Sequence, residues 1–305
     1  MRHSVITTQI GTRSIFSLRS LSQTGSAATF MVGFLVLVGW ISDIPSLKSV
    51  LPSLTTMKAN TALAFILAGV SLWVLQRETS QRTRRIGQAC AAFVALAGIL
   101  TLSEYVLDLD LGLDQLLFKE SSGAVRTSHL GRMSPVTALN FGLVGCALLL
   151  LKTNRGILPG QYLAIGAAIS SLIALVGYAY GEESLYSLSV YTSMALHTSV
   201  TFLVLCFGIL YAHPTSGLMS VVNGENTGSA VTRRLLPFVI LAPLVGGWLR
   251  IKGQDAGLYG TGFGTALFAV TLMLMFVAVI GWTARSLSRS DEKRMWAEEA
   301  LRRAH

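Results

Sequence analysis

Glu104 and His197 are the two side chains best placed in type and position to do chemistry. Glu104 closes a run that is otherwise apolar from Ala91 to Leu102, and His197 stands at the opening of another apolar run. A carboxyl at the end of an apolar helix is costly to ionise. An imidazole exchanges a proton near physiological pH and can donate to a ligand. Brought together from two helices, the pair would sense protons or hold a small polar molecule. Trp40, Asn60, Tyr105, Tyr178 and Trp248 fall at corresponding places in their own segments. With Glu104 and His197 they make the candidate ligand-binding set, apolar walls with a few convergent polar groups. A structural role competes for each: the aromatics as a belt at the headgroups, the polar groups as interfacial contacts.

Other chemistries lack their residues. A retinal protein needs a lysine inside a span, and all six lysines fall in loops or tails. A membrane haem needs histidines at matching depth on facing helices. His197 and His213 are separated by about 24 Å of helix at 1.5 Å per residue, and His3, His129 and His305 lie in tails or a loop. Cys90, Cys146 and Cys206 are scattered singly and read as small apolar packers. Ion-coupled transporters keep ionisable groups near mid-bilayer, and no such group falls mid-span here. No catalytic triad, P-loop or metalloprotease motif is present. No catalytic residue, metal or cofactor is expected.

The elements that position these residues follow from composition. Hydrophobic residues make up 52% of the chain and charged residues 13%, against about 25% charge in a soluble domain. Apolar runs over about 27–41, 60–76, 87–107, 136–151, 161–180, 194–212, 235–250 and 263–284 predict eight membrane spans. Helices are the form expected, because lipid offers no partner to backbone groups. The first span continues into Trp40-Ile41-Ser42-Asp43 without a cleavage signature and is read as retained.

The spans repeat. Four helix ends read Gly39-Trp40, Ser103-Glu104-Tyr105, Gly177-Tyr178 and Gly247-Trp248. The returning helices open on Met57 to Phe65, Met133 to Phe141, Met194 to Phe202 and Gly264 to Phe268, each with a threonine near its start: Thr61, Thr137, Thr198 and Thr265. Those hydroxyls are placed to cap a first turn or to bond a neighbouring helix. A motif recurring in fixed order signals one copied supersecondary unit.

Of the 24 Lys and Arg residues, 17 fall on the tails and the loops at 77–86, 152–160 and 213–234, and 7 on the opposite set. The richer side is cytoplasmic by the positive-inside rule, which puts both termini inside and all the repeat signatures outside. The net charge of +9 then reads as a topology signal and attraction to anionic lipid, with nucleic acid not expected as a partner.

After the last span, Glu298 with Arg302 and Glu299 with Arg303 are favourable helical pairs. Leu287, Ser290, Arg294, Ala297, Leu301 and Ala304 trace a weak heptad seam continuous with the eighth span. The stretch Arg294-Met-Trp-Ala-Glu-Glu-Ala-Leu-Arg-Arg303 resembles the linker helix that leads into PAS, histidine-kinase or diguanylate-cyclase modules of bacterial signalling proteins. The membrane part resembles the N-terminal integral-membrane sensor region of such proteins. The matching stretches are Met57–Gly69, Asp110–Phe118, Gly131–Leu139, Tyr191–Thr198 and Gly247–Tyr259. The resemblance implies a sensory input module in the bacterial inner membrane and carries over no ligand and no functional residue. The catalytic modules of such proteins lie outside this sequence, so the chain is expected to be non-enzymatic by itself.

The resulting reading is an all-α polytopic membrane protein, eight transmembrane helices in four repeated hairpins, with a C-terminal cytoplasmic signalling helix. Residues 1–26 are a cytoplasmic tail, 27–284 a membrane sensor domain and 285–305 the start of a coiled-coil linker. Expected partners are membrane lipid, a small ligand and a second copy of the chain, joined through the last helix and linker. The alternative from another class is a carrier of small solutes or lipid.

Overall fold

The computed structural model describes residues 2–50, 54–77, 80–112, 114–115, 117–118, 129–153, 155–182, 193–224 and 226–304, with side chains described from 19 to 285, Thr227 excepted. Among the described residues all regular structure is α-helical. The elements are α1 (Arg2–Ile41), α2 (Pro45–Lys48), α3 (Ala59–Leu75), α4 (Gln81–Leu107), α5 (Pro135–Leu150), α6 (Ile157–Tyr180), α7 (Leu196–Tyr211), α8 (Leu218–Asn223), α9 (Thr227–Asp255) and α10 (Thr261–Ala304). Five stretches are long and apolar enough to cross a membrane: Arg19–Ile41, Gln81–Leu107, Ile157–Tyr180, Gly228–Asp255 and Thr261–Arg285. Three shorter apolar helices, α3, α5 and α7, complete the set. The chain is an all-α, multi-pass membrane protein by the length and composition of these helices.

The chain divides into two compact units, Met1–Met219 and Ser220–His305. In the first, α1 packs on α3 and α7, α4 on α3 and α5, and α6 on α5 and α7. Three hairpins, α1/α3, α4/α5 and α6/α7, therefore close into a ring in which each returning helix touches the first helix of the next hairpin. The returning helices also meet one another. Phe65, Phe141 and Phe202, each eight positions after its hairpin's methionine, are fully buried with ring centroids 4.7–4.9 Å apart. Each pair is tilted or edge-to-face, the arrangement the aromatic quadrupole favours. The repeat thus has a three-way aromatic contact at its centre.

Close helix approach inside a hairpin comes from small residues. A Cβ added at Gly98 of α4 would lie 2.5 Å from the Ala138 carbonyl oxygen and the Gly142 nitrogen of α5. Small side chains let backbones pack tightly where lipid gives no hydrophobic drive for helix association. Several polar groups between helices are paired: Asn140 Nδ2 donates to Ser171 Oγ at 3.0 Å, Ser22 to the Gly208 carbonyl at 2.7 Å, and Ser71 to the Gly87 carbonyl at 2.9 Å. Large apolar side chains, among them Phe34, Phe93, Leu96, Ile99, Ile169 and Ile173, point outward and are exposed. Apolar outside with paired polar groups inside is the pattern of a bundle solvated by lipid.

In the second unit α9 and α10 pack against each other across a short turn in which Gly257 takes φ +71°. This hairpin differs from the other three. Thr61, Thr137 and Thr198 are 2–3% exposed, whereas Thr265 is exposed and bonds Arg250 Nη2 and the Thr261 carbonyl. Its entry is glycine-rich and has no methionine. α10 runs for 44 residues without interruption, about 66 Å at 1.5 Å per residue, from its apolar segment through the charged sequence that follows Arg285.

Candidate functional site

The site is built at the end of the first unit that carries Met57, Met133 and Met194. Each methionine lies in non-helical backbone just before a returning helix, so its carbonyl has no helical partner. The aromatic at the end of each first helix supplies one. Trp40 Nε1 donates to the Met57 carbonyl at 2.9 Å, Tyr105 Oη to the Met133 carbonyl at 3.0 Å, and Tyr178 Oη to the Met194 carbonyl at 2.6 Å. All three aromatics are half-buried. The recurring aromatic–methionine signature is therefore a staple that closes each hairpin. Trp248, its counterpart in the second unit, is 41% exposed, and the entry of its returning helix has no methionine to bond.

The first turns of the returning helices are finished differently. In α5, Ser134 caps the helix by accepting from the Thr137 N–H at 3.2 Å. In α3, Asn60 Oδ1 accepts from the Thr61 N–H at 2.7 Å, while its Nδ2 donates to the Gly131 carbonyl at 3.2 Å and so reaches the next hairpin's loop. In α7 the cap position is Ala195, and no side chain caps the helix.

Glu104 and Tyr105 converge on Arg132, which is outside the candidate set read from the sequence, and Asn60 bonds the carbonyl of the residue before it. Arg132 and Glu104 are 3% and 1% exposed. Arg132 Nε donates to Asp114 Oδ2 at 2.6 Å, and Nη2 lies 3.6 Å from both Glu104 Oε1 and Asp110 Oδ1. The guanidinium also lies 5.4 Å from the centre of the Tyr105 ring. Glu104 Oε1 accepts from the Leu111 N–H at 3.0 Å, which turns the following loop back onto the helix end. Burial pushes the Asp114 carboxyl up, with Arg132 pulling the other way. Burial alone would favour neutral Arg132, but Asp114 and Glu104 outweigh it and push its pKa further up. The carboxylate oxygens of Glu104, Asp110 and Asp114 come within 4.8 Å of one another, close enough to share a metal ion. The guanidinium already supplies the positive charge there, so the cluster works as an internal ion-pair network.

His197 stands apart from that network. Both of its ring nitrogens are buried without a hydrogen-bond partner among the described residues, as are Thr55 Oγ1 and Ser193 Oγ. Glu104 and His197 therefore make no pair. The described structure gives four placements: Trp40 on its staple; Asn60, Glu104 and Tyr105 about Arg132; Tyr178 beside the α7 entry that carries His197; and Trp248 in the second unit. Two apolar grooves of about 330 and 300 Å³ flank α1, one against α7 at Gly25 and Val204, the other against α3 at Phe30 and Gly69. None of the seven candidate residues lines either groove.

Compared with protein-family models, curated proteins and solved structures, the chain matches none of them.

Proposed function

We propose that this chain is a membrane-embedded sensory input module that passes a periplasmic or membrane stimulus through its last helix to a cytoplasmic output. The observation that carries the reading is α10. One unbroken helix joins an apolar span to a charged, heptad-patterned segment, Thr261 to Ala304. A relay needs an element that spans both environments and has alternative packings, and a continuous helix fits that need. In this reading the eight apolar helices are eight spans in four hairpins, the fourth diverged to serve as the output arm. On the same reading the protein sits in a bacterial inner membrane, and the basic asymmetry of the loops supports cytoplasmic termini, with the staples and the Arg132 network on the outer side. The chain has no catalytic role of its own and works as a homodimer through α10. A carrier for small solutes or lipid is the competing class.

Cysteine crosslinking in native membranes tests this. Single cysteines placed along residues 287–304, in a background without Cys90, Cys146 and Cys206, should crosslink two copies at Leu287, Ser290, Arg294, Ala297, Leu301 and Ala304, with weak crosslinking between them. Uniform or absent crosslinking would remove the dimeric rod and with it the relay.

A further inference from the structure

The three hairpins of the first unit share one register, and that register shows what the third is missing. Counting from the methionines, Asn60 and His197 are equivalent, as are Gly131 and Thr55, and Ser134 and Ala195. In the ring, α7 contacts α1 as α3 contacts α4. Asn60 reaches the Gly131 carbonyl of the next hairpin, and by the register of the repeat the equivalent step from His197 would lead to Thr55 of the first. Yet among the described residues His197 and Thr55 have no partner for any of their three side-chain polar atoms, and Ser193, beside Met194, has none for its hydroxyl. Thr55 and Ser193 are 1% and 3% exposed. Native proteins rarely leave buried polar groups unsatisfied, so each such group calls for a ligand or water. The backbone adds to this. The cap residue Ser134 accepts from the first turn in α5, and in α3, whose cap residue Lys58 makes no such bond, Asn60 Oδ1 accepts from the Thr61 N–H instead; the cap residue of α7, Ala195, has no side chain to do either. A bare helix start favours negative charge.

We propose that the α7 entry, with Thr55, Ser193 and His197, binds a small carboxylate. The bonding is donor-rich: two hydroxyls, an imidazole N–H and the N–H groups of the first turn of α7 would all point at two acceptor oxygens. The missing cap is the position the anion fills. Its biological meaning rests on the sensor reading, where this carboxylate is the stimulus at the outer side.

The test uses the full chain in nanodiscs with ¹³C-labelled acetate as probe, followed by saturation-transfer NMR, with chloride and phosphate as competitors. Acetate should bind saturably at one per chain, resist chloride and phosphate at equal concentration, and weaken by about tenfold or more in the Thr55→Val/Ser193→Ala pair. Ala195→Ser guards against misfolding. It restores the cap that Ser134 gives α5, so it should raise thermal stability while weakening acetate. Absence of saturable binding, undiminished binding in Ala195→Ser, or displacement by equal chloride or phosphate each overturns the proposal. Failure here would leave crosslinking along α10 intact, and loss of that crosslinking would leave acetate binding intact, so the two readings fail separately.

Discussion

Replacing Arg132 should be among the most damaging single changes in the first unit, and its cost should depend on pH in a defined direction. Arg132→Gln keeps length and hydrogen-bonding capacity but removes the cation that, among the described residues, lies within 3.6 Å of Glu104, Asp110 and Asp114. Glu104 is 1% exposed and the Asp114 side chain 9%, so two carboxylates would lose their counter-ion where water cannot replace it. Breaking a buried pair by removing one partner costs about 3–5 kcal/mol. Arg132→Lys keeps the charge but not the planar fork and should fall between the two. The sign of the pH effect follows from Asp114. Burial already holds its folded-state pKa above the usual value, so its ionisation weakens the fold as pH rises through that raised pKa. Without Arg132 the pKa climbs further, and the deficit should be largest at neutral pH and shrink as the medium is acidified below the carboxyl titration. Thiol-dye unfolding reports this directly, because Cys206 is fully buried and reacts only when the unit opens. A variant as stable as wild type at neutral pH, or a deficit that grows on acidification, would refute the ion-pair account.

The staples give a graded series: Trp40→Phe, Tyr105→Phe and Tyr178→Phe should each cost about 1–3 kcal/mol by stranding a methionine carbonyl, while exposed Trp248→Phe should stay within about 0.5 kcal/mol, all read by the same dye. Phe65→Ala, Phe141→Ala and Phe202→Ala should each cost on the order of 2 kcal/mol. That is less than in a soluble core, because lipid removes the water-transfer part and leaves the cavity part. The double variants should be non-additive since the rings touch. A cytoplasm-active reporter fused after Arg85, Arg155, Arg234 or His305 should be active, and one fused after Gly123 or Glu183 silent; activity after Gly123 would break the eight-span topology.

The helices were legible because lipid leaves the sequence little freedom. Each of the eight apolar runs corresponds to one apolar helix, α1, α3 to α7, α9 or α10; the ends of α3, α5 and α7 fall within two residues of the runs, whereas α1, α9 and α10 extend well beyond theirs. The repeat was legible too, but its chemistry was not. Trp40, Tyr105 and Tyr178 differ in shape and share only a polar handle on a ring, and their acceptor is a backbone carbonyl, which no side-chain pattern announces. Arg132 carries no such signature either: it sits in a loop of mixed charge, and its importance comes from the loop folding back so that the Leu111 N–H donates to Glu104. A cation one residue before Met133, at the mouth of an apolar helix, was the available signal. The fourth hairpin's divergence was readable in its missing methionine and in Gly257, Gly260, Gly262 and Gly264. The short helices α2 and α8 carried no signal, being four and six residues long.

The relay through α10 is tested most directly by changing its helical phase. With a diguanylate-cyclase output fused in register after His305, insertion of one to seven residues after Arg285 rotates the output by about 100° per residue relative to the membrane segment. Cyclase activity should oscillate along the insertion series, recovering near three, four and seven residues where the heptad face realigns. Activity that is flat across the series, or that falls steadily with length, would contradict transmission through a continuous signalling helix.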